Sequence, residues 1–273
     1  MGTIGFGIFM LAIAVGLFFW RKSALDKVLQ LKAITARKIG ELTDMAKALA
    51  KDMGKGHYGE TVEVQGKIVC DKPLLAELSK QPCIYYRAEV KREYEETKVV
   101  TDSQGQQKNE TRRCNETLSS NKRSVPFYIE DETGKIEVLP DQADIDEQKS
   151  LSKFEPESGL LMQGNTVSIG GFSIAVGNPG QQGTRRTLGY QMDEWTLPAD
   201  TQAFVIGEVT DSEGRLVIRK PSEKGKRFII SARSKEALVQ STESTAKWLM
   251  VGSVACLAIG IIVSISGIVK MMS

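Results

Sequence analysis

Two uncharged stretches, one near each end of the chain, predict helices that cross a membrane. At about 1.5 Å per residue, Trp248–Val269 would form a helix of about 33 Å and Thr3–Trp20 one of about 27 Å. Both lengths are close to the hydrocarbon core of a bilayer, about 30 Å thick. Trp248 suits the headgroup level, and Lys247 and Lys270 bracket the second stretch. A signal peptide is the alternative for the first stretch, but a basic pair follows it where a small-residue cleavage site is expected, so we favour an anchor.

The charges that flank the two stretches indicate an orientation. Outside the stretches lie only the N-terminal amine and Lys270. The basic residues on the inner sides are Arg21, Lys22, Lys27, Lys32, Arg37 and Lys38 after the first stretch, and Arg227, Arg233, Lys235 and Lys247 before the second. By the positive-inside rule we expect both termini outside and the whole middle of the chain in the cytoplasm.

A helical spacing of apolar residues follows the first stretch and predicts an amphipathic helix over Ser23–Met53. Ser23 is a candidate N-cap, and Gly54 and Gly56 are expected to end the helix. We expect the apolar stripe to pack on the following domain or on a second copy of the chain. Continuous with the first span, this helix would form a stalk.

From Glu60 onward the spacing of apolar residues alternates, which predicts strands. The expected strands are Thr61–Val69, Cys83–Tyr94, Leu188–Leu197, Thr201–Val209, Arg215–Arg219 and Phe228–Ser231. Val125–Pro140 is the clearest hairpin, and a second is expected around Gly170-Gly171. The remaining segments are Pro73–Leu78, expected as a short helical turn, Thr97–Ser124, expected as a long exposed hairpin or mobile loop, Asp141–Ser158, expected as irregular chain, and Ser234–Lys247, expected as a helix.

These elements predict a mainly β chain of the α+β class. A hairpin-rich domain over Glu60–Val239, forming a partly open barrel or a sandwich, would lie between the membrane helices Thr3–Trp20 and Trp248–Val269. The amphipathic helix Ser23–Met53 would precede this domain.

Composition and cysteine spacing exclude several classes of function. The net charge is +2 with 26% charged residues, and the basic pairs are scattered, so nucleic acid is not an expected partner. The four cysteines, Cys70, Cys83, Cys114 and Cys256, form no C-x-x-C pair, and His57 is the single histidine. We therefore expect no metal site, no cofactor and no disulfide framework, and the unpaired cysteines agree with a reducing compartment.

Three features of the sequence are candidates for catalysis. Asp131 and Glu132 are adjacent acids in a turn, where acidic residues commonly serve the turn itself. Gly170-Gly171 lacks the Gly-Lys-Ser/Thr ending of a phosphate loop. Cys83 opens an apolar strand and is expected to be a buried structural cysteine rather than a nucleophile. Because G-x-S-x-G and a histidine-containing triad are also missing, a hydrolase is disfavoured, and we assign no catalytic residue.

A series of short motifs follows in a recognisable order along the middle of the chain. The motifs are Val64-Gln65-Gly66, Pro73-Leu74, Ser79, Pro82-Cys83-Ile84-Tyr85-Tyr86, the hairpin with Phe127, Asp131, Thr133-Gly134 and Val138, then Tyr190, Glu194, Leu197, Val205-Ile206-Gly207-Glu208 and Phe228-Ile229-Ile230-Ser231. This order resembles the GIDE domain, also called BAM for "beside a membrane", of the MULAN-like mitochondrial ubiquitin ligase family. The resemblance covers roughly Glu60–Val239. It implies a domain between two membrane helices and a role in ubiquitin transfer and organelle organisation.

The ligases of that family differ from this sequence in one respect. In them a RING follows the second membrane helix, and a RING needs about eight Cys/His ligands on two zinc ions, whereas only Lys270–Ser273 follow Val269 here. We therefore expect a membrane-anchored module that binds a protein or a lipid at the membrane surface, and no autonomous catalysis. The alternative is a ubiquitin-protein transferase that takes its RING from a partner or forms a thioester on a cysteine such as Cys83.

Small residues recur every four positions in the second apolar stretch and predict a helix-packing face. They are Gly252, Cys256, Gly260 and Ser264. Small residues on one face allow two helix backbones to approach closely in lipid. The expected partner is the first stretch, through Ala12 and Gly16, or a second copy of the chain in a homo-oligomer.

Overall fold

Three helices and fifteen strands occupy the part of the chain that the computed structural model describes, residues 2–101, 105–157, 162–163, 166–169, 172–175, 185–212 and 214–272. The helices are α1 (Gly2–Ala33), α2 (Ile39–Met53) and α3 (Lys235–Met272). The strands are β1 (Gly59–Val69), β2 (Leu74–Leu75), β3 (Pro82–Thr101), β4 (Gln107–Ser124), β5 (Phe127–Asp131), β6 (Gly134–Val138), β7 (Asp144–Asp146), β8 (Gln148–Pro156), β9 (Met162–Gln163), β10 (Thr166–Ile169), β11 (Phe172–Ala175), β12 (Arg185–Pro198), β13 (Gln202–Thr210), β14 (Val217–Arg219) and β15 (Ile229–Ser231). The predicted mainly β, α+β architecture between two apolar helices is confirmed.

Five strands close into a small barrel. Their order is β1-β5-β6-β14-β13, and β13 pairs back onto β1 from Gly59↔Thr210 to Lys67↔Gln202. The β6–β14 pair is parallel, and the other four pairs of the ring are antiparallel. This strand order with one parallel pair is that of an OB-fold, a five-stranded Greek-key barrel. β15 joins β13 beside β14, and β7 extends the sheet from β15, so the barrel is partly open on that side.

Alternating apolar residues fill the barrel. Val62, Val64 and Ile68 of β1 are at most 1% exposed and share one cluster with inward residues of the other barrel strands. Burying each such side chain stabilises the fold by about 1.5–3 kcal/mol. The period of two along the strands, visible in the sequence, therefore fixes which face of each strand forms the core.

The helix α2 lies against the turn between β5 and β6 and completes this core. Its residues Ile39, Leu42 and Ala46 belong to the barrel cluster. Lys38 provides no side-chain cap, so the first backbone N–H groups of α2 find acceptors in the β5–β6 turn. Ile39 N donates to Asp131 Oδ2 at 2.9 Å, and Gly40 N donates to Thr133 Oγ1 at 2.7 Å. A distant turn thus performs the capping that a helix normally obtains from its own preceding residue.

Both long connections of the barrel carry further strands. The β1–β5 connection contains β2, β3 and β4, and the β6–β13 connection contains β7 to β12. β3 pairs with β4 on one side and with β12 on the other, and β12 pairs with β8. We call the sheet of β2, β3, β4, β8 and β12 the outer sheet. β10 and β11 form the expected hairpin with β9 alongside, and its Gly170-Gly171 turn lies outside the described residues.

The helices α1 and α3 pack against each other over their apolar segments. A Cβ added at Gly7 would collide with Ser264 Oγ, and one added at Gly260 would lie 3.0 Å from Leu11 Cγ. A Cβ added at Gly252 would lie 3.6 Å from Leu17 Cδ1, so three members of the predicted small-residue face, Gly252, Gly260 and Ser264, lie against α1 of the same chain. On α1 these residues meet Gly7, Leu11 and Leu17. The expected residue Gly16 does not take part, because a Cβ added there would meet nothing within 4 Å.

Past the apolar segments, both helices continue onto the barrel. Leu31 of α1 and Leu238 of α3 are buried with Phe204, Ile206 and Ile229 on the outward face of β13 and β15. This packing explains why the helices extend beyond the predicted stretches Thr3–Trp20 and Trp248–Val269. Their added turns have an apolar stripe that the domain covers.

Three local predictions are wrong. The helix expected over Ser23–Met53 is divided, because α1 ends at Ala33, α2 begins at Ile39, and Ser23 lies inside α1 rather than at a cap. The linker runs beside β1 instead, with Arg37 N donating to Glu63 O at 2.9 Å and Glu63 N to Thr35 O at 3.1 Å. Pro73–Leu78 contains the short strand β2 instead of a helical turn. The segment expected to be irregular, Asp141–Ser158, contains β7 and β8 because neighbouring strands supply their partners.

Candidate interaction surface

The longest projection of the domain is the hairpin of β3 and β4. The two strands pair from Tyr85↔Ser124 to Thr101↔Gln107, so the segment predicted as an exposed hairpin or mobile loop is a regular hairpin. Within the described residues, the pairing of β12 with β3 ends at Glu96↔Arg185. We call the part beyond this point, Thr97–Thr101 with Gln107–Thr111, the ribbon.

The ribbon has two exposed apolar side chains and a free backbone edge. Val99 and Val100 are 63% and 43% exposed. Among the described residues, β4 pairs with β3 on one side and with no strand on the other. An unpaired strand edge offers a row of N–H and C=O groups to which an extended segment of another protein can add.

One face of the outer sheet carries a network of paired charges around Trp195. The Arg87 guanidinium lies 3.7 Å from the centre of the Trp195 ring, and Lys149 Nζ lies 5.4 Å from it. Arg87 Nε donates to Glu147 Oε1 at 2.9 Å, and its other nitrogens bind Glu147 and Glu89. Lys149 Nζ binds Asp193 Oδ1 at 2.7 Å.

The electrostatics of this face disfavour ionisation of Tyr85 near neutral pH. Burial and the nearby Glu147 charge raise the pKa of Tyr85 to about 12. Paired charges next to a flat aromatic ring form a rigid, polar surface.

Below the opposite face of the outer sheet, Glu194 is fully buried and binds backbone. Its Oε1 accepts from Leu78 N at 2.6 Å, and its Oε2 accepts from Ser79 N at 3.0 Å and from Ser150 Oγ at 3.3 Å. These bonds hold the turn after β2 against β12. The sequence analysis assigned Glu194 no structural role. Its position was nevertheless informative, because a charged residue among the buried apolar positions of an alternating strand must find hydrogen-bond partners inside the protein.

Cys83 is buried, as predicted. Its side chain is fully buried beside Ala76, Tyr86 and Ala88. Burial, and secondly the charge of Glu194, raise its pKa to about 11. Because the thiolate is the reactive form, this thiol is poorly suited to thioester chemistry near neutral pH.

The other chemical candidates are Asp131 and Glu132, which share one turn, and His57. Asp131 organises its turn, as expected, since its Oδ1 accepts from Thr133 N at 2.7 Å and Gly134 N at 3.0 Å, and it also caps α2. Glu132 pairs with Lys38 at 2.8 Å. His57 is exposed in the turn before β1, where its neighbours Gly56 and Tyr58 donate their backbone N–H groups to Asp211.

The four cysteines, Cys70, Cys83, Cys114 and Cys256, are all free. Within the described residues, no group of three or more His, Cys, Asp and Glu side chains could hold a metal ion.

A polar knot joins the two helices to the barrel. Lys235 Nζ, at the start of α3, lies 2.6 Å from Glu63 Oε2 and donates to Ile34 O at 3.2 Å, just beyond the end of α1. Glu63 is 1% exposed, and its other oxygen accepts from Gln65 Nε2 at 2.6 Å. The knot therefore ties α1, α3 and β1 at one point.

Comparison with known proteins identifies the domain. The model of the GIDE family, described as an E3 ubiquitin ligase, matches residues 97–265, from the ribbon to the apolar segment of α3. Searches of curated proteins and of solved structures gave no match. Because the matched region spans more than half of the chain, the protein belongs to the GIDE family.

Proposed function

We propose that this protein is a membrane-held docking module whose GIDE domain binds a protein partner through the ribbon. The observation that carries the proposal is the combination of an unpaired β4 edge with the exposed valines Val99 and Val100. Apolar side chains on a projecting strand pair have no packing role in the domain itself. They fit an extended segment of a partner that pairs with β4 and covers the two valines.

Membrane anchoring is supported by the two long helices. The most apolar 18-residue windows within Gly5–Ala33 and Lys235–Gly267 have mean hydropathies of 1.7 and 2.4, and only 6% of each window is buried. Phe6, Phe9 and Phe19 of α1 are about half exposed or more, as are Val254 and Ile262 of α3. Side chains of this kind are stable in lipid and costly in water.

The junction between helices and domain supports a fixed placement of the module beside the membrane. Leu31 and Leu238 are buried against the barrel, and the Lys235–Glu63 pair closes the polar side of the junction. A module joined in this way has little freedom to swing, so a partner would meet the ribbon in a defined position.

Photocrosslinking tests the docking proposal. A photoreactive residue placed at Val99 should give a discrete adduct with one protein in native membranes, and Val100→Asp should abolish that adduct. The same residue at Leu75, which is 65% exposed on β2, is the matched control and should give none. Equal adducts from both positions, or an adduct that survives Val100→Asp, would contradict the proposal.

The cytoplasmic orientation is part of the same proposal and has its own test. A reporter cysteine at Gln107, with Cys114 replaced by Ser, should react with an impermeant reagent only after the membrane is opened. Labelling from outside intact cells would show the reverse orientation.

Ubiquitin transfer with a RING supplied by a partner is the second candidate, and the description of the matched family favours it. Under this proposal the protein would recruit the ligase machinery through the docking surface, and its effect on organelle organisation would follow from the partner. Purified protein with activating and conjugating enzymes alone should make no ubiquitin chains, and chains should appear when the crosslinked partner is added. Chains without the partner would show autonomous transfer, whereas none with it would exclude the second candidate.

A further inference from the structure

A cavity of about 350 Å³ lies where α1 and α3 leave their apolar segments and meet the domain. Three basic side chains and one acidic side chain line it, Lys27 from α1 and Arg227, Arg233 and Asp146 from the domain. Hydroxyl groups of Ser23, Thr242 and Thr245 line the helix side, and those of Thr242 and Thr245 donate to Leu238 O and Ser241 O of α3. The cavity therefore combines cationic groups with hydroxyl oxygens that can accept hydrogen bonds.

The positive charge in this cavity is incompletely neutralised. Lys27 Nζ binds Asp144 Oδ2 at 2.8 Å, and Arg233 Nε donates to Asp146 Oδ2 at 2.6 Å. Arg227 is half-buried and makes no ion pair or hydrogen bond with any of the described residues. A half-buried guanidinium without a counterion is a favourable site for an anion.

The position of the cavity identifies the kind of anion. Trp20, which is 65% exposed, also lines the cavity, and Thr245 lies less than one turn before Trp248, which is 73% exposed. Exposed tryptophans at the ends of apolar helices lie at the headgroup level of a bilayer. The cavity thus faces the layer in which lipid phosphates are concentrated.

We infer that this cavity binds the headgroup of a phospholipid with net negative charge. Its phosphate would lie on Arg227 and Lys27, and its glycerol or further hydroxyl groups would bond to Ser23 and Thr242. A choline headgroup fits less well, because its ammonium group would meet the same cations. The inference rests on the membrane insertion that is part of the proposed function, but not on the docking of a partner at the ribbon.

Native mass spectrometry of the full chain in a neutral detergent tests this inference. Phosphatidylglycerol and phosphatidylcholine with the same acyl chains are titrated separately. We expect phosphatidylglycerol to bind more tightly, and Arg227→Gln to weaken its binding about fivefold without changing phosphatidylcholine binding. Arg227→Lys should retain most of the affinity, because the charge remains. A melting curve for each variant separates loss of binding from loss of folding.

Lys22→Gln is the matched control, since Lys22 is an exposed cation close to Trp20 in the sequence but outside the cavity. Its phosphatidylglycerol affinity should equal that of the wild type. Equal weakening by both variants would indicate a diffuse charge effect, and equal binding of the two lipids would remove the charge preference. Displacement of the lipid by inorganic phosphate at the lipid's own concentration would indicate a site for soluble anions. Each of these three results would overturn the inference.

Failure here is distinguishable from failure of the proposed function. Alkaline carbonate extraction reports membrane insertion directly, and photocrosslinking at Val99 reports docking at a distant surface. A protein that resists extraction and crosslinks at Val99, but binds both lipids equally, would refute the lipid site alone.

Discussion

The barrel and the ribbon belong to one β domain but are stabilised by different forces. In the barrel, Val64, Ile129 and Val205 are fully buried in a continuous apolar cluster. In the ribbon, the described contacts across or along the strands are polar, such as Thr97 Oγ1 to Thr111 Oγ1 at 3.0 Å, and its valines face solvent. Hydrophobic burial therefore stabilises the barrel, whereas the ribbon depends on backbone pairing and leaves its side chains available for binding.

Truncating a barrel residue should have the largest effect. Phe127→Ala removes a 1% exposed ring from the cluster and should lower the free energy of unfolding by about 3–5 kcal/mol. Chemical denaturation in detergent micelles measures this loss. Val99→Ala in the ribbon is the control and should change the free energy of unfolding by less than about 0.5 kcal/mol. A comparable loss in both variants would contradict the division between barrel and ribbon.

The contrast between buried and exposed positions extends to ion pairs. Lys235→Met leaves the carboxylate of Glu63 buried without its cation and should cost about 3 kcal/mol in the same denaturation experiment. Lys32→Met breaks the exposed pair with Glu243 and should leave the denaturation midpoint nearly unchanged. If the two variants lose equal stability, the polar knot does not join the helices to the barrel as the structure indicates.

The junction of α2 with the barrel should depend on pH. Burial raises the pKa of Asp131, and the hydrogen bonds from Ile39 N, Thr133 and Gly134 N lower it. The hydrogen bonds have the larger effect, so the pKa of Asp131 in the folded protein is below its ordinary value. The stabilisation by Asp131 is therefore complete above about pH 4, the unfolded pKa, and is lost as the pH falls through the lower folded value.

Asp131→Asn should accordingly cost about 1 kcal/mol at pH 7, because the amide retains one acceptor for the helix cap. The difference in free energy of unfolding between this variant and the wild type should become smaller below about pH 4. Denaturation at pH 7 and below pH 4 measures it. The pKa of Glu132 is lowered too, by its bond with Lys38, but both side chains are exposed, so Glu132→Gln should show a much smaller narrowing. A difference that stays constant with pH would argue against capping by an ionised carboxylate.

The parts of this fold that the sequence predicted are those determined by local periodicity. The strands β1, β3, β12 and β13 and the β5–β6 hairpin follow from alternation and turn residues, and the apolar ends follow from length and absence of charge. Partners distant in sequence determined the remainder. The helix break at Ile34–Lys38 arises from pairing of that segment with β1 at Glu63.

The candidate surface was predictable only in outline. An exposed hairpin over Thr97–Ser124 was expected, but its free β4 edge depends on which strand flanks β3, and that information is not local. The cavity at the helix junction joins residues as distant as Lys27 and Arg227, so no spacing in the sequence could indicate it.

A similarly small effect is expected in the outer sheet, whose charged network is neither fully buried nor fully exposed. Arg87 stacks on Trp195 and binds Glu147 and Glu89 through separate nitrogens. Lysine keeps the charge but has one ammonium group and no flat surface, so it cannot make these contacts together. Arg87→Lys should therefore lower the free energy of unfolding by only about 1 kcal/mol, because the site is partly open to solvent.

Fluorescence gives that variant a local readout. Trp195 emission should shift to the red in Arg87→Lys as water reaches the ring, measured with Trp20 and Trp248 replaced by Phe. Arg113→Lys, whose side chain is 81% exposed and 3.9 Å from Glu95, is the control and should shift nothing. If neither the Trp195 spectrum nor the denaturation midpoint changes, the network does not stabilise the fold and resembles the ribbon in this respect. If Arg87→Lys lowers the free energy of unfolding as much as Phe127→Ala does, the network stabilises the fold as strongly as the barrel core.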